Sequence, residues 1–204
     1  NDDAAAHTVL GLHALQHRGQ EAAGIVSFDG RLFHSHRALG LVGDHFSSEE
    51  VIGALPGQAA IGHVRYSTAG APLLRNVQPL YADFAFGGLA LAHNGNLTNA
   101  LALRRELVEQ GCLFQSTSDT EVIIHLIARS RQPSVVERLV DALRQVQGAY
   151  ALVALSAAAL YGVRDPLGIR PLVIGDLDGA PILASETCAL DIMGARFVRD
   201  VEPG

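Results

Sequence analysis

The sequence predicts an α+β layered sandwich, and three observations carry that prediction. Its apolar patterns run in the order helix, sheet, helices, sheet. Strands and crossover helices do not alternate regularly, which disfavours a doubly wound parallel fold. Of the 204 residues 49% are hydrophobic, and no internal repeat, low-complexity tract or long Pro/Gly/Ser linker divides them, so one domain over residues 1–204 is expected.

Each element has its own signal. Residues 3–17 place Val9, Leu10, Leu12, Ala14 and Leu15 at mostly helical spacing behind an Asn/Asp start suited to capping, which predicts an opening helix. Residues 23–46 change to short apolar runs broken at Asp29-Gly30 and near Gly40, the texture of antiparallel strands joined by tight turns. Residues 58–66 and 87–93 read as buried strands that end in polar residues. Helical signals return over 97–110, closed by Gly111, and after Ser118, where Ser118 and Glu121 stand at capping-box spacing. A third helix is expected near 135–146. Strands separated by turn residues follow at 149–155, 160–164, 172–175 and 182–185.

Bulk properties exclude several function classes. The formal charge of −6 comes without a run of like charges or a Lys/Arg stripe, so no nucleic-acid partner is expected. No apolar stretch approaches the roughly 20 residues needed to cross a bilayer, so no membrane association is expected. The acidic start Asn1-Asp2-Asp3 is unlike a secretory signal. Two cysteines, Cys112 and Cys188, are too few for a disulfide framework, and a reducing compartment, the cytoplasm, is expected.

Several constellations fit either chemistry or ordinary structure. His93-Asn94-Gly95-Asn96 has the Asn-Gly pair of a tight turn, yet an Asn side chain and an unobstructed glycine N–H also make an oxyanion hole. Ser118-Asp119-Thr120-Glu121 reads as a helix start whose acids favour the dipole. In His63-Val64-Arg65-Tyr66-Ser67-Thr68 an arginine closes a buried strand and needs an anion, a carboxylate ligand or a structural acid. His17-Arg18-Gly19-Gln20-Glu21 ends the first helix with Gly19 as a plausible cap. The pairs His13/His17 and His34/His36 are spaced to face one way but lack a recognisable ligand motif, so no metal is expected in this domain. Cys112 and Cys188 read as inert thiols with no histidine placed to activate them.

Taken together, Gln16-His17-Arg18-Gly19-Gln20-Glu21, Gly62-His63-Val64-Arg65-Tyr66-Ser67-Thr68, Ala92-His93-Asn94-Gly95-Asn96-Leu97, Ser118-Asp119-Thr120-Glu121, Arg164-Asp165-Pro166-Leu167-Gly168-Ile169-Arg170-Pro171-Leu172 and Ala184-Ser185-Glu186-Thr187 resemble, in order, the class II glutamine amidotransferase domain of the amidophosphoribosyltransferase family. The resemblance implies an N-terminal-nucleophile hydrolase fold, a four-layer αββα sandwich of two antiparallel sheets. It implies a glutaminase whose N-terminal cysteine attacks glutamine to give a thioester and ammonia. It assigns Asn94 and the Gly95 N–H to the oxyanion hole, Arg65 to the glutamine α-carboxylate and Asp119 to its α-amine. Thr68 is assigned to the pocket lining, and Arg18 and Gly19 to support of the nucleophile.

The same resemblance implies L-glutamine as ligand, the chain's own phosphoribosyltransferase domain as partner, and a homo-oligomer. Magnesium, and the iron–sulfur cluster of some members, would belong to that other domain, expected after Gly204. The family begins with Cys-Gly and a short apolar strand, whereas this sequence starts at Asn1, so a polypeptide that truly began there is expected not to hydrolyse glutamine. Other class II amidotransferases share the Arg, Asn-Gly and Asp pocket, and a glutamine- or partner-binding module without catalysis is the alternative from another class.

Overall fold

The structure, a computed structural model, describes residues 3–66 and 73–204. In chain order the elements are α1 (Ala4–Ala14), a 3-10 turn (Gln16–Arg18), β1 (Ala22–Phe28), β2 (Phe33–Leu39), α2 (Val42–His45), α3 (Glu49–Gly53), β3 (Ala59–Arg65), a second 3-10 turn (Leu74–Asn76), β4 (Leu80–Phe84) and β5 (Gly87–Leu97). They continue with α4 (Ala100–Glu109), α5 (Thr120–Arg129), α6 (Val135–Leu143), β6 (Gly148–Ser156), β7 (Leu160–Arg164), β8 (Val173–Leu177), β9 (Ala180–Ala184), α7 (Thr187–Met193) and β10 (Arg196–Asp200). Among the described residues no helix is long and apolar enough to cross a membrane.

The architecture is the α+β sandwich expected, with every strand pair antiparallel. Its strands form three ladders, β2-β1-β3, β10-β8-β9 and β4-β5-β6-β7. The two three-stranded ladders share one β layer, and the four-stranded ladder is the other. Burial dictates this stacking. In β1 both faces are covered: Ile25 packs with Leu12 of α1 and Phe46, while Val26 packs with Ile61, Ala90 and Leu155 between the β layers. On the outer side of the four-stranded ladder Leu91 and Leu152 meet Val122, Ile123 and Ile127 of α5 and Leu139 of α6. At the opposite side Leu190 of α7 packs with Val173 and Ala184 of β8 and β9.

Several local expectations are corrected. Asp3 occupies the N-cap position of α1 but its side chain makes no capping bond. Residues 42–45 are helical rather than strand, because the β1–β2 hairpin ends at Leu39. His93-Asn94-Gly95-Asn96 is not a turn: β5 runs straight through it, paired residue for residue with 149–152 of β6. Ser118 and Glu121 make no capping box, since Glu121 instead accepts from the N–H groups of Gln115 and Ser116 and from the Ser116 hydroxyl. The capping box forms one helix later, at Ser134 and Glu137 of α6. Gly19 does not cap by a left-handed turn; its φ of −172° is extended.

Candidate active site

A cleft of about 1110 Å³ opens at the ends of β3 and β5 and collects Arg18, Arg65, Asn94, Gly95 and Asp119. Five of the seven residues expected at a site thus line one space. Gly19 lies behind it, and Thr68 falls outside the described residues.

Each is held by its neighbours. Arg65 closes β3, and its Nη1 donates to Glu21 Oε2 at 3.3 Å. Gly19 lets the chain cross directly over that strand end, because a Cβ there would lie 2.7 Å from the Val64 carbonyl carbon and 2.6 Å from that of Arg65. Arg18 pairs with Glu186. The Asn94 amide nitrogen is buried with no hydrogen-bond partner among the described residues, which is costly unless something else uses it. At Gly95 a Cβ would meet the Ala149 carbonyl oxygen at 2.1 Å, so the close β5–β6 approach admits only glycine.

Asp119 sits just before α5. Burial by itself raises its carboxyl pKa, but His93 and the N–H groups of Leu97 and Thr120 outweigh that and hold it below the ordinary value. The Leu97 N–H reaches Asp119 Oδ2 at 3.0 Å, and His93 Nδ1 stands 3.6 Å from Oδ1. The acid is therefore anionic at neutral pH.

Four arginines, Arg18, Arg65, Arg104 and Arg170, line the cleft with one acidic residue, Asp119, among its described residues, and Glu186 and Glu21 pair with Arg18 and Arg65. Arg104 is engaged with the Ser116 and Ser118 carbonyls and lies over the Phe114 ring at 3.9 Å, while Arg170 has a buried Nε without a partner among the described residues. The arrangement suits a small zwitterion with a polar tail: cations for its carboxylate, Asp119 for its ammonium and the orphan amide for an oxygen at the end of the tail. Sequence reasoning assigned no site role to Arg104, Arg170, His63, His93 or Gln78, all of which line the cleft. For His63, His93 and Arg170 the signal was their place inside quoted motifs.

His63 also touches a second space, an apolar slot of about 320 Å³ between β3 and β9, walled by Leu12, Ile61, Leu152, Leu172 and Ile182. Among the described residues β3 is laddered only to β1, and β9 only to β8, so both edges flanking the slot lack a strand neighbour. His63 and Asn94 line both spaces, which therefore meet at the candidate amide donor. Neither cysteine lines the cleft or the slot. Burial and the Glu186 carboxylate push the Cys188 thiol up, away from the thiolate a nucleophile needs.

Fold and cleft define the class. Residues 63–191 match the family model described as "Glutamine amidotransferase domain", and the chain belongs to that family. Within it, similarity points to one branch: an amidophosphoribosyltransferase of Rhizobium etli is 61% identical over 99% of this chain and 41% of its own length. One of Staphylococcus aureus is 48% identical over 99% of the chain and 41% of its length. The solved glutamine phosphoribosylpyrophosphate amidotransferase of B. subtilis, complexed with ADP and GMP, superposes with a TM-score of 0.94 at 45% identity, covering all of this chain and 44% of that one. A class-II glutamine amidotransferase domain protein from Silicibacter pomeroyi, at 12% identity and a TM-score of 0.62, shares the fold. The chain spans about two-fifths of the length of the curated relatives it matches.

Proposed function

We propose that this chain is the glutamine-hydrolysing domain of a cytoplasmic amidophosphoribosyltransferase, at the first step of purine synthesis: water hydrolyses glutamine to glutamate and ammonia, and the ammonia displaces pyrophosphate from phosphoribosyl pyrophosphate to give phosphoribosylamine. The observation that carries the reading is the unpartnered amide nitrogen of Asn94, set beside Gly95 in a cleft with Arg65 and Asp119. A buried donor left unpaired at rest is what a group reserved for a transient oxyanion looks like.

In this reading Arg65 holds the α-carboxylate of glutamine and Asp119 its α-ammonium, which directs the side-chain carboxamide towards Asn94 and Gly95. A cysteine at the N-terminus of the domain supplies the thiol, and its own α-amine takes the thiol proton and passes it to the leaving nitrogen. The C–S bond forms, the C–N bond breaks, and ammonia departs. Water then cleaves the thioester to glutamate. The negative oxygen of both tetrahedral states points at the Asn94 amide and the Gly95 N–H. The apolar slot, with a strand edge on each side, suits the short apolar strand on which such a cysteine would ride, and it delivers that strand to His63 and Asn94.

The partners in this reading are L-glutamine, the phosphoribosyltransferase domain of the same polypeptide, and further copies of the enzyme. Magnesium, and an iron–sulfur cluster where present, are assigned to that other domain. Among the described residues no three His, Cys, Asp or Glu side chains gather as a metal site, so these residues do not fit either group, and no step here runs through a metal.

The test is to treat the intact enzyme with the diazoketone analogue of glutamine and measure its mass. One adduct on an N-terminal cysteine, with loss of glutamate production, supports the reading. No adduct together with no glutamate release from glutamine refutes it.

A further inference from the structure

We propose that Asn76 and Gln78 are positioning residues that set the two halves of the glutamine site relative to each other, Gln78 fixing the oxyanion strand and Asn76 fixing the Asp119 loop. The inference rests on the glutaminase reading above and adds to it the residues that hold its geometry.

The argument begins with strand register. β4 pairs with β5 from Phe84↔Gly87 to Leu80↔Leu91, and extending that ladder by two residues would set Gln78 opposite His93. The backbone ladder has already ended there. Its place is taken by the Gln78 side chain: Oε1 accepts from the His93 N–H at 2.6 Å, and Nε2 donates to the His93 carbonyl at 3.3 Å. One carboxamide thus supplies both bonds that a neighbouring strand would give, at the residue immediately before Asn94 and Gly95. The other edge of β5 is laddered to β6 through Leu97, so Gln78 completes the grip on the segment from both sides.

Two residues earlier the same device recurs. Asn76 Oδ1 accepts from the Thr117 N–H at 3.0 Å, and its Nδ2 donates to the Thr117 hydroxyl at 2.9 Å. Thr117 precedes Ser118 and Asp119. Both residues are buried, at 4% and 7% exposure; Asn76 ends the 3-10 turn Leu74–Asn76, and Gln78 lies between that turn and β4. Burying a carboxamide is costly unless it is hydrogen-bonded, and these two meet that cost on the His93 backbone of β5 and on the Thr117 N–H and hydroxyl. The segment is braced from beneath: the Gln78 carbonyl oxygen lies where a Cβ of Gly24 would be, 2.3 Å away, and Arg37 reaches the Val77 carbonyl at 3.4 Å. Residues 76–78 therefore form a rigid bar from β1 to both sides of the cleft.

A common bar with two grips predicts separable kinetic effects. Loosening His93 displaces donors that matter in the transition state, so kcat falls. Loosening Thr117 displaces the group that binds the α-ammonium, so KM rises.

The experiment compares Gln78→Met and Asn76→Leu, near-isosteric removals of the grips, with Gln78→Glu, which keeps an acceptor for the His93 N–H. Glutaminase kcat and glutamine KM are measured on the intact enzyme, with kcat normalised to the fraction of sites labelled by the diazoketone analogue, so that misfolded molecules drop out. We expect Gln78→Met to lower normalised kcat by about 10-fold or more, towards the ~10²-fold that a misplacement of about 1 Å costs, with KM little changed. Asn76→Leu should do the reverse, and Gln78→Glu should recover part of kcat. Normal kcat in labelled Gln78→Met molecules, or identical changes in both removal variants, would overturn the inference and leave the glutaminase reading standing. A wild-type enzyme that neither labels nor hydrolyses glutamine would bring down both.

Discussion

Replacing Asn94 by Ala should separate stability from catalysis, and the size of each effect follows from one atom. The Asn94 amide nitrogen is buried without a partner among the described residues, and such a group costs about 1–3 kcal/mol of desolvation that the free protein does not recover. Asn94 is partly exposed on the cleft, so truncation removes that cost while losing little packing. The folded domain should be unchanged or up to about 2 kcal/mol more stable, the desolvation saved less a small packing loss. Catalysis should move the other way, since loss of one oxyanion donor costs roughly 10²–10³ in kcat, about 2.7–4 kcal/mol. Urea midpoints at constant slope give the first quantity, and glutamate release normalised to labelled sites gives the second. A variant that is clearly less stable and keeps its kcat would show that the amide is structural and that the oxyanion assignment is wrong.

Three further perturbations test the surrounding geometry. Arg65→Ala removes a charge-assisted pairing worth about 1.5–3 kcal/mol, so the KM for glutamine should rise roughly 10- to 100-fold with kcat nearly intact; equal loss of glutamine- and ammonia-dependent synthesis would count against the clamp. Gly19→Ala places a methyl 2.6 Å from the Arg65 carbonyl carbon and 2.7 Å from that of Val64. Because backbone must yield, overpacking of about 1–3 kcal/mol should appear in thermal unfolding together with weaker glutamine binding, and an unaltered melting point would mean the crossing is looser than drawn. His63 supplies a pH test: burial, and then His93, push its imidazole from 6.5 down to about 4. The unfolded chain takes up this proton as pH falls through 6.5 while the native one does not. Stability is therefore intact above that range and drops by on the order of 3 kcal/mol towards pH 4. In His63→Gln that share of the slope should vanish, and an identical pH profile would refute the assignment.

What the sequence makes legible, and what it hides, divides along a physical line. Apolar periodicity located α1, β1, β3, β5, α5 and β6, because burial on one or both faces writes itself into residue order. It passed over α7 (Thr187–Met193), whose seven residues bury only Ala189 and Leu190 and so carry too short a face to pattern. Arg65, Asn94 and Asp119, which the structure gathers on one cleft, could be picked out because residue type within a motif at a strand end or helix start is visible in the sequence. Glycine was ambiguous where more than one physical reason fits one residue: Gly19 could cap a helix or support the site, and Gly95 could turn the chain or leave its N–H open. In both cases a partner distant in sequence decided, the β3 backbone for one and β6 for the other. The same holds for Glu121, whose carboxylate goes to residues 115 and 116 instead of to a helix cap. Gln78 and Asn76 lie furthest beyond sequence reasoning, since each replaces a piece of backbone hydrogen bonding with a side chain. Nothing in an apolar pattern marks where a ladder stops and a carboxamide carries on, yet that substitution lets the chain leave the sheet at Leu80 and still hold the strand on which glutamine chemistry would occur.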